Sequence, residues 1–264
     1  MTTTQFIQSA WNLSPVVVAI CLVAIALHAW RLGLHARSGY LWSALLVLVL
    51  AVSSPLAALA EGFLFSAHMT QHMLLLLVVP MLALLSLPRR EPSRLRLPVW
   101  ATWACGVGAM WVWHQRTLCD FATRTETGRI VQFITLVLLG SVFWWPLLRP
   151  DRGQRIAPLS GVFYLFTACV GCSLLGILIT FAPSGAVCPV YLTPPDNAPL
   201  LHLIRSDWGL TPAADQQLGG LIMWVPGCLI YLLGAMGQLA RWYHPEGLFP
   251  GSGSRVLDHK SMPS

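Results

Sequence analysis

The chain has 264 residues, of which 56% are hydrophobic and only 10% charged, with a mean hydropathy of +0.66. Soluble domains carry about 25% charged residues, so a deficit spread along the whole length excludes an ordinary soluble domain and predicts an integral membrane protein. The net charge of +6 comes from 15 Arg and a single Lys, Lys260. No basic stretch is interleaved with aromatics as base stacking requires, which argues against a nucleic-acid partner.

The first residues, "MTTTQFIQSAWNLSP", have no basic n-region, so the apolar segment that follows is expected to be retained as a helix rather than cleaved. A spanning helix needs about 20 largely apolar residues. Runs free of Asp, Glu, Lys and Arg, apart from Arg31 towards the end of the first, predict seven, near 15–34, 39–60, 64–87, 98–115, 130–148, 157–182 and 216–240. The runs are continuous rather than alternating, which excludes barrel strands. The expected fold is therefore all-α, a single seven-helix transmembrane domain over 1–243 with a flexible cytoplasmic tail over 244–264. Between the last two spans lies a long segment, about 183–215, expected to fold as an external cap with a short interfacial helix around "APLLHLIRSDWG".

Basic residues next to spans favour the cytoplasm. Arg31, Arg37, Arg89, Arg90, Arg94, Arg96, Arg149, Arg152, Arg155, Arg241, Arg255 and Lys260 fall on one side; Arg116, Arg124, Arg129 and Arg205 fall on the other. Twelve against four puts the N-terminus outside and the C-terminus in the cytoplasm.

With that topology several polar residues meet in the outer leaflet. His68 and His72, in "HMTQHM", lie at i and i+4 on one face of the third span. His114 ends the fourth span at the same depth, and Asp215 and Gln216 open the seventh. Intramembrane ionisable groups point to function, while an i,i+4 histidine pair also serves as interhelical hydrogen-bonding glue. Imidazole suits copper, zinc, iron and nickel, and thioether selects Cu(I). Met69, Met73 and Met110 stand beside these histidines, so a site here favours copper, with the methionines as auxiliary donors or as packing. Asp215 either caps its own helix or orients a histidine through a second-layer hydrogen bond.

Cys169 and Cys172 share a face of the sixth span, as packing residues or as a thiol relay. Cys119 and Cys188 both fall in external loops, where an oxidising compartment permits a disulfide. Trp111, Trp113, Trp144 and Trp145 read as interfacial belt aromatics, and His28, His35 and His244 as interfacial groups on the cytoplasmic side. "QQLGGLIMWVPG" reads as a site of close helix packing rather than a phosphate loop. "HMTQH" lacks the Glu that the HExxH hydrolases use as a base, and no Ser/His/Asp set is apparent, so no catalytic role is expected.

The segments "FSAHMTQHMLLLLVVPMLAL", "WVWHQRTLCDFA", "VFWWPLL", "LITFAPSGAVCPVY" and "DQQLGGLIMWVPGCLIY" together resemble the multi-spanning CtaG-type cytochrome c oxidase assembly family, in order, from about residue 60 to 243. The resemblance implies a seven-helix bacterial inner-membrane protein that helps to assemble a haem–copper oxidase and handles copper. Its partners would be the oxidase subunits and a periplasmic copper donor. The family's histidines carry over to His68, His72 and His114, and its acidic–glutamine pair to Asp215 and Gln216. The fifth helix of relatives often starts with a histidine about where this chain has Gln132. Two other readings stay open. A haem b electron carrier or quinol oxidoreductase would use the same histidines as axial ligands, and a copper transporter would use Cys169 and Cys172 as a relay.

Overall fold

In a computed structural model, residues 1–32, 37–87 and 97–243 are described, and among them the chain is helical without any strand. Arg89, Arg90, Arg94, Arg96, Arg255, Lys260, His35, His244 and the tail expected over 244–264 lie outside the described residues. The helices are α1 (Thr3–Ser9), α2 (Pro15–Leu32), α3 (Ser38–Ser53), α4 (Pro55–Ala60), α5 (Phe65–Met73), α6 (Val79–Ser86), α7 (Val99–Trp113), α8 (Arg116–Arg124), α9 (Glu126–Leu148), α10 (Pro158–Phe181), α11 (Ala198–His202) and α12 (Pro212–Tyr243).

Each of the seven apolar segments contains a helix, and the boundaries follow local chemistry. The segment expected over 39–60 is broken. Ser54 is extended (φ −92°, ψ 175°) because a residue before proline avoids the α region, and its hydroxyl accepts from the Leu56 amide to start α4 with Pro55 at its first position. Between α5 and α6 the chain keeps coiling through a π-helical turn at Leu74–Val78. Pro80 follows that turn and has no amide proton to donate, so a widened turn lets the helix continue past it. The cap contains α11 and a π-helical turn at Leu203–Asp207, where the interfacial helix was expected.

Four stretches are long and apolar enough to cross a bilayer: Phe65–Ser86, Glu126–Leu148, Pro158–Phe181 and Pro212–Tyr243. Outward-facing Phe163, Phe166, Phe181 and Leu233 leave a surface suited to lipid rather than water. The chain is a helical membrane protein. α2, α3 and α7 are apolar but shorter, at 18, 16 and 15 residues.

α10 and α12 pack along most of their length. A Cβ on Gly220 would stand 2.7 Å from the Gly176 carbonyl, and one on Gly176 would stand 2.8 Å from the Gly220 carbonyl. Small residues let backbones touch where lipid supplies no hydrophobic drive, and this is the work of the "LGG" motif. Deeper in the bundle Phe143, Trp144, Tyr164 and Tyr231 form an aromatic core, with ring centroids 5.1 to 5.9 Å apart around Phe143. Trp144 is therefore not a belt residue: it is 1% exposed, enclosed by that cluster, whereas Trp145 sits at the helix end beneath the Arg149 guanidinium, 5.8 Å from its ring. Trp113 is likewise buried, its indole donating to Thr135. His28 is buried and faces the Ser38 hydroxyl.

Candidate functional site

At the end of the bundle where α3, α7 and α10 finish and α5, α9 and α12 begin, three imidazoles come together. The ring centroids of His68 and His72 are 4.5 Å apart, and those of His72 and His114 5.1 Å apart. All three residues are buried, at 4%, 1% and 7% exposure. The i,i+4 spacing puts the first two on one face of α5, and His114, which caps the C-terminus of α7, meets them from across the bundle.

The first turn of α5 is held by a residue from α12. The Asp215 carboxylate accepts from the Phe65 amide (2.7 Å), the Ser66 amide (3.0 Å) and the Ser66 hydroxyl (2.6 Å). A helix start leaves its first amides without partners and carries partial positive charge, so a buried carboxylate is well matched to it. Asp215 lies in the first turn of α12, as expected, but its carboxylate makes its hydrogen bonds elsewhere. Thr211 caps α12 through the Ala214 amide, and the bonds from Asp215 go to α5's backbone and Ser66 rather than to an imidazole. Asp215 orients the histidines by anchoring the helix that carries them.

His114 has a defined tautomer. Its Nδ1 lies 2.5 Å from the Met110 carbonyl, which can only accept, so Nδ1 carries the proton and Nε2 presents a lone pair. That lone pair faces the Met69 thioether sulfur at 3.0 Å. His68 Nε2 and both ring nitrogens of His72 are buried without a hydrogen-bond partner. Gln132 is near enough to His72 to act on it as a hydrogen-bonding neighbour, short of a well-formed bond, and its amide nitrogen has no other partner. An unsatisfied buried polar group costs about 1–3 kcal/mol, so four in one place is an unusual concentration. Among the described residues no three His, Cys, Asp or Glu side chains are disposed as they would be around a bound metal; the imidazole pairs are tilted (54°) and edge-on (71°) rather than convergent.

The other expected residues divide. Met69 is at the site. Met73 is one turn deeper, packed where a Cβ on Gly227 would meet its methyl at 2.9 Å. Met110 contributes its carbonyl to His114. Gln216 is away from the imidazoles: its amide nitrogen donates to the carbonyls of Ile179, Ala182 and Pro183, and its oxygen accepts from the Gly185 amide, tying the end of α10 to the cap. Cys119 and Cys188 are joined as a disulfide with Cα atoms 5.9 Å apart, which fastens the cap to α8.

Sequence reasoning missed Tyr191. It lies in the cap 5.9 Å from the His68 ring, stacks edge-on against Phe65 at 5.5 Å, and donates from its hydroxyl to the Ala60 carbonyl at 2.8 Å. Burial pushes that hydroxyl well above the ordinary tyrosine range, so it remains a neutral donor. Its only signal was an aromatic in a long apolar loop. Gln71, which donates to the Ala51 carbonyl at 2.7 Å and ties α5 to α3, was missed for the same lack of pattern. Cys228 was also overlooked. It faces Ser173 at 3.0 Å, while Cys172 faces Tyr231 at 3.2 Å.

Residues 22–244 match the family described as cytochrome c oxidase caa3 assembly factor (Caa3_CtaG). The chain belongs to that family. Among curated proteins this assembly-factor chain is similar to an uncharacterised protein of Mycobacterium leprae, 23% identical over 205 residues, and to uncharacterised proteins of Mycobacterium bovis and Mycobacterium tuberculosis, each 24% identical over 207 residues. The alignments cover 67% of this chain and 30% of each mycobacterial protein, so the match spans under a third of the length of those relatives. No solved structure matches. The caa3 assembly-factor match takes in the whole of the histidine cluster, Asp215 and the cap.

Proposed function

We propose that this assembly factor receives Cu(I) as cargo in the outer leaflet of the bacterial inner membrane, holds it on His68, His72 and His114, and passes it to a haem–copper oxidase subunit without catalytic turnover. It would do so as a seven-span protein with its N-terminus outside and its C-terminus in the cytoplasm. Arg149, Arg152, Arg155 and Arg241, at the end of the bundle away from the histidines, support that orientation through the excess of basic residues on cytoplasmic flanks.

The observation that carries the reading is the facing pair of lone pairs on His114 Nε2 and Met69 sulfur, next to three unpartnered imidazole nitrogens. Two acceptors in contact at 3.0 Å leave no room for an ion between them, so the thioether would swing aside as an electrophile takes up the His114 lone pair. Imidazole with thioether is the donor set that suits Cu(I). The rings would have to turn from their present tilted and edge-on packing to converge on one ion, which fits a cargo that is released rather than a permanent centre. Met73 and Met110 serve packing and the His114 tautomer. The cap, fastened by Cys119–Cys188, covers the site and offers the surface for a periplasmic copper donor or an oxidase subunit.

The cavity bordering His68 is about 10 Å³, room for about one water and far too little for a porphyrin, which weighs against haem b. The test is Cu(I) content of the purified protein beside a His68→Ala, His72→Ala double variant, with its visible spectrum. Copper retained by the wild type and lost from the variant is the expected result. Equal content in both overturns the copper reading, and a Soret band that shifts on reduction replaces it with haem.

A further inference from the structure

We propose that the small side cavity closed by the Glu61–Arg129 ion pair is the port through which a cation reaches His68 from the outer aqueous face. That the cation is Cu(I) rests on the function proposed above; the port itself rests on geometry alone.

From above, the histidines are sealed. The Cys119–Cys188 disulfide holds the cap to α8, the Tyr191 hydroxyl bonds the Ala60 carbonyl, and Gln216 ties the Gly185 amide to the end of α10. Each of these would have to break for the cap to lift. At the side, between the Ala60–Leu64 turn and α9, there is a cavity bordered by Glu61, His68, Gln71, Arg129 and Gln132. Two of the residues that line it, His68 and Gln132, each carry a buried, unpartnered Nε2. Its outer part is closed by the contact of Arg129 with Glu61 at 2.9 Å, where the two side chains are 29% and 47% exposed.

The spacing makes a path. Arg129 and Gln132 are i and i+3 on α9, and His68 and Gln71 are i and i+3 on α5, so each wall carries one residue nearer the mouth and one deeper. Gly62 fixes the direction of Glu61: its φ of +93° disfavours any other residue, and Pro195 of the cap packs against it. Exposed ion pairs are weak, favouring the closed form by no more than about fivefold. The pair is therefore the least costly element to open around the site. Glu61 draws a cation to the mouth, and Arg129 excludes it until the cation competes for the same carboxylate.

The test uses the full-length protein in lipid nanodiscs and reads access without any metal. Diethyl pyrocarbonate is larger than the cavity and modifies neutral imidazole, so its rate at His68, followed by peptide mass spectrometry, reports opening. Glu61→Gln and Arg129→Gln should each raise that rate at least threefold, with exposed His202 unchanged and Arg129→Lys close to wild type, which controls for folding. Unchanged rates in both Gln variants overturn the port, as does a rate that rises only when Cys119–Cys188 is reduced. A parallel arm follows Cu(I) uptake, where Arg129→Gln, which opens the mouth and keeps the Glu61 carboxylate, should load several-fold faster to the same final stoichiometry. An Arg129→Gln uptake curve that matches wild type argues against the port. Wild type that takes up no Cu(I) at all sinks the copper function and leaves the carbethoxylation result to decide the port.

Discussion

Two buried polar regions of this bundle behave differently. In the aromatic core, the Tyr164 hydroxyl donates to the Phe143 carbonyl at 2.8 Å, and the Tyr231 hydroxyl is paired with Cys172 at 3.2 Å; only the Trp144 indole nitrogen lacks a partner. At the histidine end of the bundle, three ring nitrogens and an amide nitrogen are orphaned within one cluster. A membrane interior punishes unsatisfied polar groups. A single orphan is a packing compromise, whereas a cluster, on the function proposed above, is stability given up for a ligand. The contrast separates polar residues that build the fold from polar residues that wait for something.

The largest expected effect tests the frame around the cluster. Cys119 and Cys188 are 69 residues apart in sequence, and removing a disulfide that closes a loop of this length costs about 2–4 kcal/mol. Cys119→Ser with Cys188→Ser should lower the thermal midpoint by several degrees, read by static light scattering or size-exclusion after heating. An equal midpoint would mean that the cap is held by its hydrogen bonds alone. Next comes Asp215→Ala, which strands two buried amides and the Ser66 hydroxyl at a cost of about 3 kcal/mol. Asp215→Asn should recover part of that stability, because its side-chain oxygen still accepts.

A smaller change probes the satisfied region. Tyr164→Phe removes a well-made hydrogen bond and should cost about 1 kcal/mol while leaving Cu(I) content untouched. The sharpest result is the smallest in stability. His68→Leu with His72→Leu replaces orphaned nitrogens by apolar groups, so folding stability should be unchanged or slightly raised rather than lowered. Oxidase assembly in a complemented deletion strain should nonetheless be lost. A large destabilisation would return the histidines to the structural side of the comparison.

Much of this was legible in the chain. Continuous apolar runs announced helices, and the i,i+4 spacing placed His68 and His72 on one face, because both are properties of a single segment. The topology count brought His114 and Asp215 to the same end. What pattern could not supply was the partner of each polar atom. Asp215 caps a helix 149 residues away rather than its own, and Gln216 left the site for the end of α10. Trp144 turned inward because a helix face is chosen by its neighbours. Tyr191, Gln71 and the Glu61–Arg129 pair had no motif at all, since each acts across a long sequence separation.

The sequence by itself determined a helical membrane chain of the cytochrome c oxidase caa3 assembly-factor family with histidines concentrated near one end, because hydropathy and helical period are local and dominate insertion. Only the tertiary structure decided which nitrogens remain unsatisfied, how the cap is fastened, and where the enclosure is weakest. Hydrogen bonds and ion pairs are short-ranged, so their assignment depends on packing to within a few tenths of an ångström, which no spacing rule encodes.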